Sequence, residues 1–180
     1  MSSAFKSFLK FPFVCFFLPF VFLSLCRFKI LINLSIMEQK EPNPQFPLAA
    51  YSMEFKVDES MIDRNHHVNN VVLVQWMQNV STQHASSLGG MKMMNDWGCA
   101  MVVRTHDIDF KAQAFLGDVI RCTTWVNEFG KASSVRCYKF VRPSDNKEIL
   151  YAETSWAFLD LKTGTPTRIP QEFKALFGME

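Results

Sequence analysis

The chain has 180 residues with a hydrophobic content of 48%, which favours one domain around a single core. Its 19 basic and 17 acidic residues are unevenly spread, because residues 1–36 hold four basic residues and no acid. The rest of the chain is close to neutral and has no basic run, which excludes the clustered positive face of a nucleic-acid-binding protein.

The first 36 residues are unlike the others, since they hold half of the 18 phenylalanines. Residues 11–26 are apolar and uncharged and follow Lys6 and Lys10, as in a secretory signal. These residues are fewer than the ~20 needed to cross a bilayer. Three interpretations stay open: a signal, a membrane anchor, or a mis-assigned start, because Met37 opens a polar segment of its own.

The chain is predicted to have three segments: a hydrophobic segment, residues 1–36, a polar linker, residues 37–49, and a folded domain, residues 50–180. Every strand and helix signal lies in the third segment, so we expect it to fold and work without the first. We expect the domain to be cytoplasmic, with membrane contact only through residues 1–36 if they anchor or target it.

The domain begins with apolar and polar residues in alternation from Tyr51 to Val57, which predicts a half-buried strand. A helix is predicted from Asn70, as its cap, to Leu88, and Gly89 with Gly90 ends it. Its valines, Trp76 and Met77 make it apolar on more than one face, so we expect it to be buried.

Four further strands are predicted, at Cys99–Phe110, Val119–Phe129, Ser133–Arg142 and Ile149–Leu161. Turn residues separate them, which favours a meander of antiparallel hairpins. A short helix is predicted to start at Pro170. One strand, one buried helix and four strands indicate an α+β fold in which an antiparallel sheet of about five strands wraps around a central helix.

The loop before the predicted helix has the sequence Asp63-Arg64-Asn65-His66-His67-Val68-Asn69-Asn70. It resembles the signature of the 4-hydroxybenzoyl-CoA thioesterase-like hotdog family, in which an Asp precedes a Gly/His-Val-Asn-Asn run that leads into the central helix. Residues 108–118 and 160–170 are similar to the family's next strand, its Gly-Asp turn and its closing segment. The resemblance covers about residues 50–177.

The loop departs from the commonest family pattern at two places. The acidic pair Asp-x-Asp is Met61-Ile62-Asp63 here, so only the second carboxylate is present. His66-His67 replaces the usual Gly-His. These departures bear on which substrate is bound, because the carboxylate that the family uses is retained.

The resemblance implies a hotdog enzyme that hydrolyses an acyl-CoA or acyl-carrier-protein thioester. Asp63, His67 and Asn70 would be catalytic, and Asn69 and Val71 would bind substrate. Such hydrolysis needs a carboxylate to attack the carbonyl or activate water, and donors for the oxyanion. The first backbone amides of a helix supply such donors, here those of Asn70 and Val71. The family also implies a homodimer or homotetramer, which would cover exposed strand edges.

Two other functions stay open at this point: a hotdog enoyl-CoA hydratase and a non-catalytic protein that binds acyl groups. The hydratase motif Asp-x-Asn-x-x-His begins at Asp63, but His66 and His67 come earlier than the motif requires. We expect no metal and no organic cofactor, because the sequence has neither a ligand cluster nor a nucleotide-binding glycine motif. Five cysteines without a CxxC pair fit small core residues in a reducing compartment.

Overall fold

The computed structural model of the chain describes Pro47 and residues 49–179. The hydrophobic segment predicted at residues 1–36 and most of the linker predicted at residues 37–49 lie outside these residues. No helix in the described part is both long and apolar enough to cross a membrane.

The described residues form five strands and three α-helices. In chain order they are β1 (Tyr51–Lys56), α1 (Asn70–Ser87), α2 (Gly90–Asp96), β2 (Cys99–Phe110), β3 (Val119–Phe129), β4 (Ser133–Arg142), β5 (Lys147–Asp160) and α3 (Gln171–Ala175). The predicted bounds of β2, β3 and β4 are confirmed. Strand β5 starts at Lys147 rather than at Ile149, and it ends at Asp160 rather than at Leu161.

The strands form one antiparallel sheet in the order β1-β3-β4-β5-β2. Hairpins join β3 to β4 and β4 to β5. The predicted meander of four strands is wrong at its first step, because β2 pairs with β5, from Cys99 opposite Asp160 to Phe110 opposite Leu150. The place beside β3 is taken by β1. Strands β1 and β2 are therefore the two edges of the sheet.

Helix α1 packs along one face of this sheet, as predicted for the α+β hotdog fold. Its buried side chains recur every three or four residues: Leu73, Trp76, Met77, Val80, Ser81, His84 and Ala85. Under the first half of the helix the core is apolar, and the Trp76 ring stacks on Phe55 with centroids 4.8 Å apart. The expectation that α1 is buried on more than one face is wrong for the single chain, since Val71 is 72% exposed. The opposite side of α1 is exposed in the single chain.

Helix α1 ends where Gly89 adopts a left-handed conformation, with φ of +77°, at little steric cost. Gly90 starts helix α2, which was not predicted because the glycine pair indicated only the end of a helix. At the other end of the chain Pro170 precedes α3, as predicted, and Phe173 and Phe177 from this region enter a second apolar cluster. This second cluster lies beside the second half of α1, through Ala85.

A polar group is buried between the second half of α1 and the sheet. Arg136 on β4 is 6% exposed, and its Nη1 lies 3.0 Å from Nδ1 of His84 and 3.2 Å from Oγ1 of Thr124. Burial, helped by the Arg136 charge, lowers the pKa of His84 from 6.5 to about 4. His84 is therefore neutral near pH 7, and its Nδ1 accepts a hydrogen bond from the guanidinium of Arg136.

The depressed pKa of His84 predicts how stability depends on pH. The unfolded chain protonates His84 near pH 6.5, whereas the folded chain resists protonation down to about pH 4. The free energy of unfolding should therefore fall as the pH drops from about 6.5 to 4, by up to about 3 kcal/mol from this group. Urea titrations at several pH values measure this slope.

The control is His84→Gln, which keeps an acceptor for Arg136 but does not titrate. The difference in unfolding free energy between the wild type and His84→Gln should change with pH only between about pH 6.5 and pH 4. A constant difference between pH 4 and 7 would contradict the assignment of His84 as a buried neutral group.

Candidate active site

The loop that carries the predicted catalytic residues closes on itself just before α1. An isolated antiparallel bridge joins Ile62 to Val68. Within it, the N–H of Asp63 donates to the carbonyl of His67 at 2.8 Å, and the N–H of Asn69 donates to the carbonyl of Met61 at 2.9 Å. These backbone hydrogen bonds hold the two ends of the loop together just before α1 begins.

The Asp63 side chain contributes to this loop structure. Its Oδ1 accepts from the N–H of Asn65 at 2.7 Å and from the N–H of His67 at 3.4 Å. Both hydrogen bonds are accepted by Oδ1, so Oδ2 bonds to neither of these two amides. Asp63 is half-buried as a residue, and the two loop amides hold its carboxylate six residues before the N-cap position Asn69.

The same contacts keep Asp63 ionised. The hydrogen bond from the backbone of Asn65 lowers the pKa of the Asp63 carboxyl below its usual value, and the backbone and ring of His67 add to the shift. Partial desolvation acts in the opposite direction and is outweighed. The group is thus a carboxylate near neutral pH, which suits a nucleophile or a base acting on water, and not a proton donor.

His66 occupies a strained backbone position in this loop. Its φ is +63°, in the left-handed region that favours glycine. The departure from Gly-His to His66-His67 therefore places a larger residue where glycine fits without steric cost. His66 is exposed.

The start of α1 differs from the prediction in one residue. Asn69, and not Asn70, is the N-cap, and its Oδ1 accepts from the N–H of Val71 at 2.9 Å. The cap thus engages the Val71 amide in this conformation, and the expected use of that amide as an oxyanion donor stays a prediction. Among the hydrogen bonds of the described residues, none uses the N–H of Asn70. This amide lies at the positive end of the helix and is available to donate a hydrogen bond to a ligand.

A neighbouring loop, residues 111–118, supports the site loop from the side. The N–H of Val68 donates to the carbonyl of Ala114 at 2.8 Å. The ring of His67 meets the ring of Phe115 edge-on, with centroids 5.4 Å apart. His67 is therefore held by packing as well as by its backbone, and its predicted catalytic role stays a prediction.

The sequence did not reveal what closes this supporting loop. Asp118 accepts from the N–H of Phe115 at 2.9 Å and from Nη1 of Arg142 at 2.8 Å. The same nitrogen of Arg142 donates to the carbonyl of Gln113 at 3.3 Å. Asp118 belongs to the Gly-Asp turn noted in the sequence. Its partner Arg142 is distant in sequence and lies close to it only because β3 pairs with β4.

No group of three or more potential metal ligands occurs within the described residues. The two adjacent histidines of the loop diverge: His66 is exposed, whereas His67 packs on Phe115. What the site offers is an ionised carboxylate, an imidazole and the amide end of a helix.

The five-stranded antiparallel sheet, the single long helix and the Asp-containing loop at its start together define a hotdog-fold thioesterase domain. A sequence profile agrees with this class: residues 49–177 match the acyl-ACP thioesterase N-terminal domain. The chain therefore belongs to the acyl-ACP thioesterase family.

A curated relative is the chloroplastic acyl-[acyl-carrier-protein] hydrolase FATB3 of Cuphea viscosissima. It is 28% identical over 134 residues, which cover 68% of this chain and 31% of the relative. The chain thus spans about a third of the length of this relative.

Solved structures share the fold. A 1,4-dihydroxy-2-naphthoyl-CoA thioesterase from Synechocystis, Slr0204, superposes with a TM-score of 0.65 at 16% identity, covering 72% of this chain and 96% of its own. The 12:0-ACP thioesterase of Umbellularia californica gives the same TM-score and identity, covering 72% of this chain and 50% of its own. At these identities the likeness establishes the fold, and the predicted hotdog thioesterase resemblance is confirmed.

The reassigned helix cap leads to a stability prediction. Asn69→Ala should lower the free energy of unfolding by about 1 kcal/mol, because the N–H of Val71 loses its partner. Asn70→Ala is the matched control, since this neighbouring side chain is exposed and makes no hydrogen bond among the described residues. Urea unfolding of both variants measures the difference. An equal or larger loss for Asn70→Ala would show that the cap is misassigned.

Proposed function

We propose that this protein hydrolyses an acyl thioester to a free acid and a thiol, with Asp63 as the catalytic carboxylate. The observation that carries the proposal is the ionised Asp63, fixed by loop amides immediately before the start of α1. The chain belongs to a thioesterase family, and Asp63 is the carboxylate that the resemblance of the site loop implies as catalytic.

The chemistry requires two groups on opposite sides of one carbonyl. The Asp63 carboxylate either attacks the carbonyl carbon or takes a proton from the water that does so. The carbonyl oxygen becomes negative and is stabilised by the Asn70 N–H and the positive end of α1. The carbon–sulfur bond then breaks, and the thiolate leaves and takes up a proton. If Asp63 attacks directly, water must then cleave the resulting anhydride to release the acid.

The other predicted residues have supporting roles in this proposal. Asn69 holds the first turn of α1 through its cap and thereby positions the Asn70 amide. Val71 is 72% exposed at the same end, so its side chain is available to contact a bound acyl group. His67 donates its backbone N–H to Asp63 and packs its ring on Phe115, so we assign it a positioning role.

The thiol carrier is coenzyme A or an acyl-carrier protein. The Cuphea relative is named for a carrier-protein substrate, and the Synechocystis protein is named for a CoA thioester. Comparing release of thiol from matched acyl-CoA and acyl-carrier-protein substrates separates the two carriers. Hydration of an enoyl-CoA without thiol release would support the hydratase alternative, and acyl binding without turnover would support the non-catalytic one.

The central prediction concerns Asp63→Asn. An asparagine keeps a side-chain oxygen for the amide of Asn65, so the loop should stay intact, but it cannot act as a nucleophile or base. We expect kcat for thioester hydrolysis to fall by at least about 100-fold, with little change in melting temperature.

Asp58→Asn is the matched control for this experiment. Asp58 is an exposed acid in the same region, and its Oδ1 accepts from the N–H of Ser60 at 2.9 Å in a similar turn. This variant should keep its turnover. Near wild-type turnover in Asp63→Asn, measured with purified protein free of contaminating thioesterases, would refute the proposed role.

We further propose that the working unit is a homodimer, or a homotetramer built from two such dimers, formed through the edge of β2 that pairs with no other described strand. This strand has 12 residues, and Val102 and Phe110 on it are 43% and 42% exposed. A long edge strand with exposed apolar residues can pair with its own copy in antiparallel fashion about a two-fold axis.

The dimer is tested by placing a charge on the edge. Val102→Lys should shift the mass measured by light scattering towards that of a monomer, because a lysine on an edge strand opposes pairing of that edge with a second chain. Val119→Lys is the control, since Val119 is 39% exposed but lies on the interior strand β3. A wild-type protein that is monomeric at micromolar concentration would contradict the proposal.

A further inference from the structure

A cavity of about 290 Å³ lies beside the second half of α1, and none of its lining residues belongs to the site loop, residues 62–69. Its walls come from several elements and include Ser81, Met94, Met101, Arg136, Trp156 and Phe173. Its volume is at the lower end of the range of small-molecule pockets.

The cavity wall contains a cation without an acidic partner. Arg136 is 6% exposed, and none of the ion pairs among the described residues includes it. The partners of its Nη1, His84 and Thr124, are both neutral. A guanidinium keeps its charge in proteins, and an isolated buried charge is costly unless a counter-charge accompanies it.

The same region has hydrogen-bond donors in excess. Nε1 of Trp156 and the hydroxyl of Tyr138 on the neighbouring strand are buried, and neither forms a hydrogen bond of good geometry among the described residues, although Ser81, Thr154 and the Trp156 indole lie close to that hydroxyl. The indole nitrogen can only donate. Trp156 lines the cavity together with Arg136, so the cavity presents one positive charge and an unused donor. A ligand that matches them must carry acceptor oxygens and negative charge.

The remaining wall is apolar. Met94, Met101 and Phe173 line the cavity, and the Phe177 ring lies 5.6 Å from the Arg136 guanidinium carbon and covers one of its faces. Methionine side chains adapt to flexible aliphatic groups. The cavity therefore combines one polar, cationic spot with walls that suit methylene groups.

We propose that this cavity binds the carboxylate of an aliphatic acid, with Arg136 and Trp156 Nε1 holding the carboxylate and the methionine and phenylalanine side chains holding the chain. This inference goes beyond the proposed function, because binding of a free acid does not depend on thioester hydrolysis.

The carboxylate can come from either of two sources. It can be the head group of a free fatty acid, or the far end of an acyl group whose thioester lies at the start of α1. Eleven residues of helix separate Asn70 from Ser81 in the cavity wall, which corresponds to roughly 16 Å at the α-helical rise. An acyl chain that lies along α1 would have to span this distance.

The first test uses dodecanoate and its neutral counterpart, 1-dodecanol, in isothermal titration calorimetry with the full chain. Wild-type protein should bind dodecanoate more tightly than dodecanol. Arg136→Met, which removes the charge but keeps an apolar side chain of similar length, should weaken dodecanoate binding about 10- to 100-fold. Binding of dodecanol should change little, and Arg136→Lys should keep part of the preference for dodecanoate.

A second measurement does not depend on the stability of the Arg136 variants. The indole N–H resonance of Trp156, assigned with Trp156→Phe, should shift when dodecanoate is added to wild-type protein and should shift less with dodecanol. Absence of dodecanoate binding, equal affinity for both compounds, or an unchanged Trp156 resonance would overturn the proposal.

A third measurement separates the two sources. Thioesters of equal chain length that end in a methyl or in a carboxylate are compared as substrates of the wild type and of Arg136→Met. A preference for the carboxylate end that disappears in Arg136→Met assigns the site to the substrate's far end, whereas binding of dodecanoate without such a preference assigns it to free acids. If neither thioester is hydrolysed, the proposed function fails, while the binding measurements still decide the cavity proposal.

Discussion

Burial of one face of α1 against the antiparallel sheet is the constraint on which the rest of the molecule depends. The first half of the helix is fixed by an apolar core, in which the Trp76 ring stacks on Phe55. This packing sets the position of the helix start and of the loop that precedes it. The second half instead covers a buried polar group around Arg136 and His84. One helix thus supplies a start that follows the site loop directly and a second half that borders a cavity.

The site loop uses one side chain for two purposes. The loop needs Asp63 as an acceptor for its own amides, and the proposed chemistry needs the same residue as an ionised carboxylate. These needs are compatible, because hydrogen bonds from backbone amides favour the charged form of a carboxyl group. A low pKa makes the carboxylate abundant at neutral pH but makes it a weaker base. The helix end must therefore supply much of the stabilisation, by receiving the charge that develops on the carbonyl oxygen.

Local patterns predicted the local structure well. Alternation and turn residues gave the bounds of β2, β3 and β4, because strand pattern and turn chemistry are encoded within a few residues. The pairing of β2 with β5 was not predicted, since register between distant strands depends on the whole sheet. The cap was placed one residue late because Asn69 and Asn70 are chemically identical, and only backbone geometry separates them. Arg136 shares its alternation with the buried Tyr138 and Phe140, so a strict period of two would have placed it inside.

The central claim is that a thioester carbonyl lies between Asp63 and the start of α1. A crystal structure with a non-hydrolysable thioester analogue, in which a methylene group separates the sulfur from the carbonyl, tests this directly. The account predicts the carbonyl oxygen about 3 Å from the amide nitrogen of Asn70, with the Asp63 carboxylate, or a water bound to it, facing the carbonyl carbon. A carbonyl bound away from the helix start, with Asp63 contacting only its own loop, would contradict it.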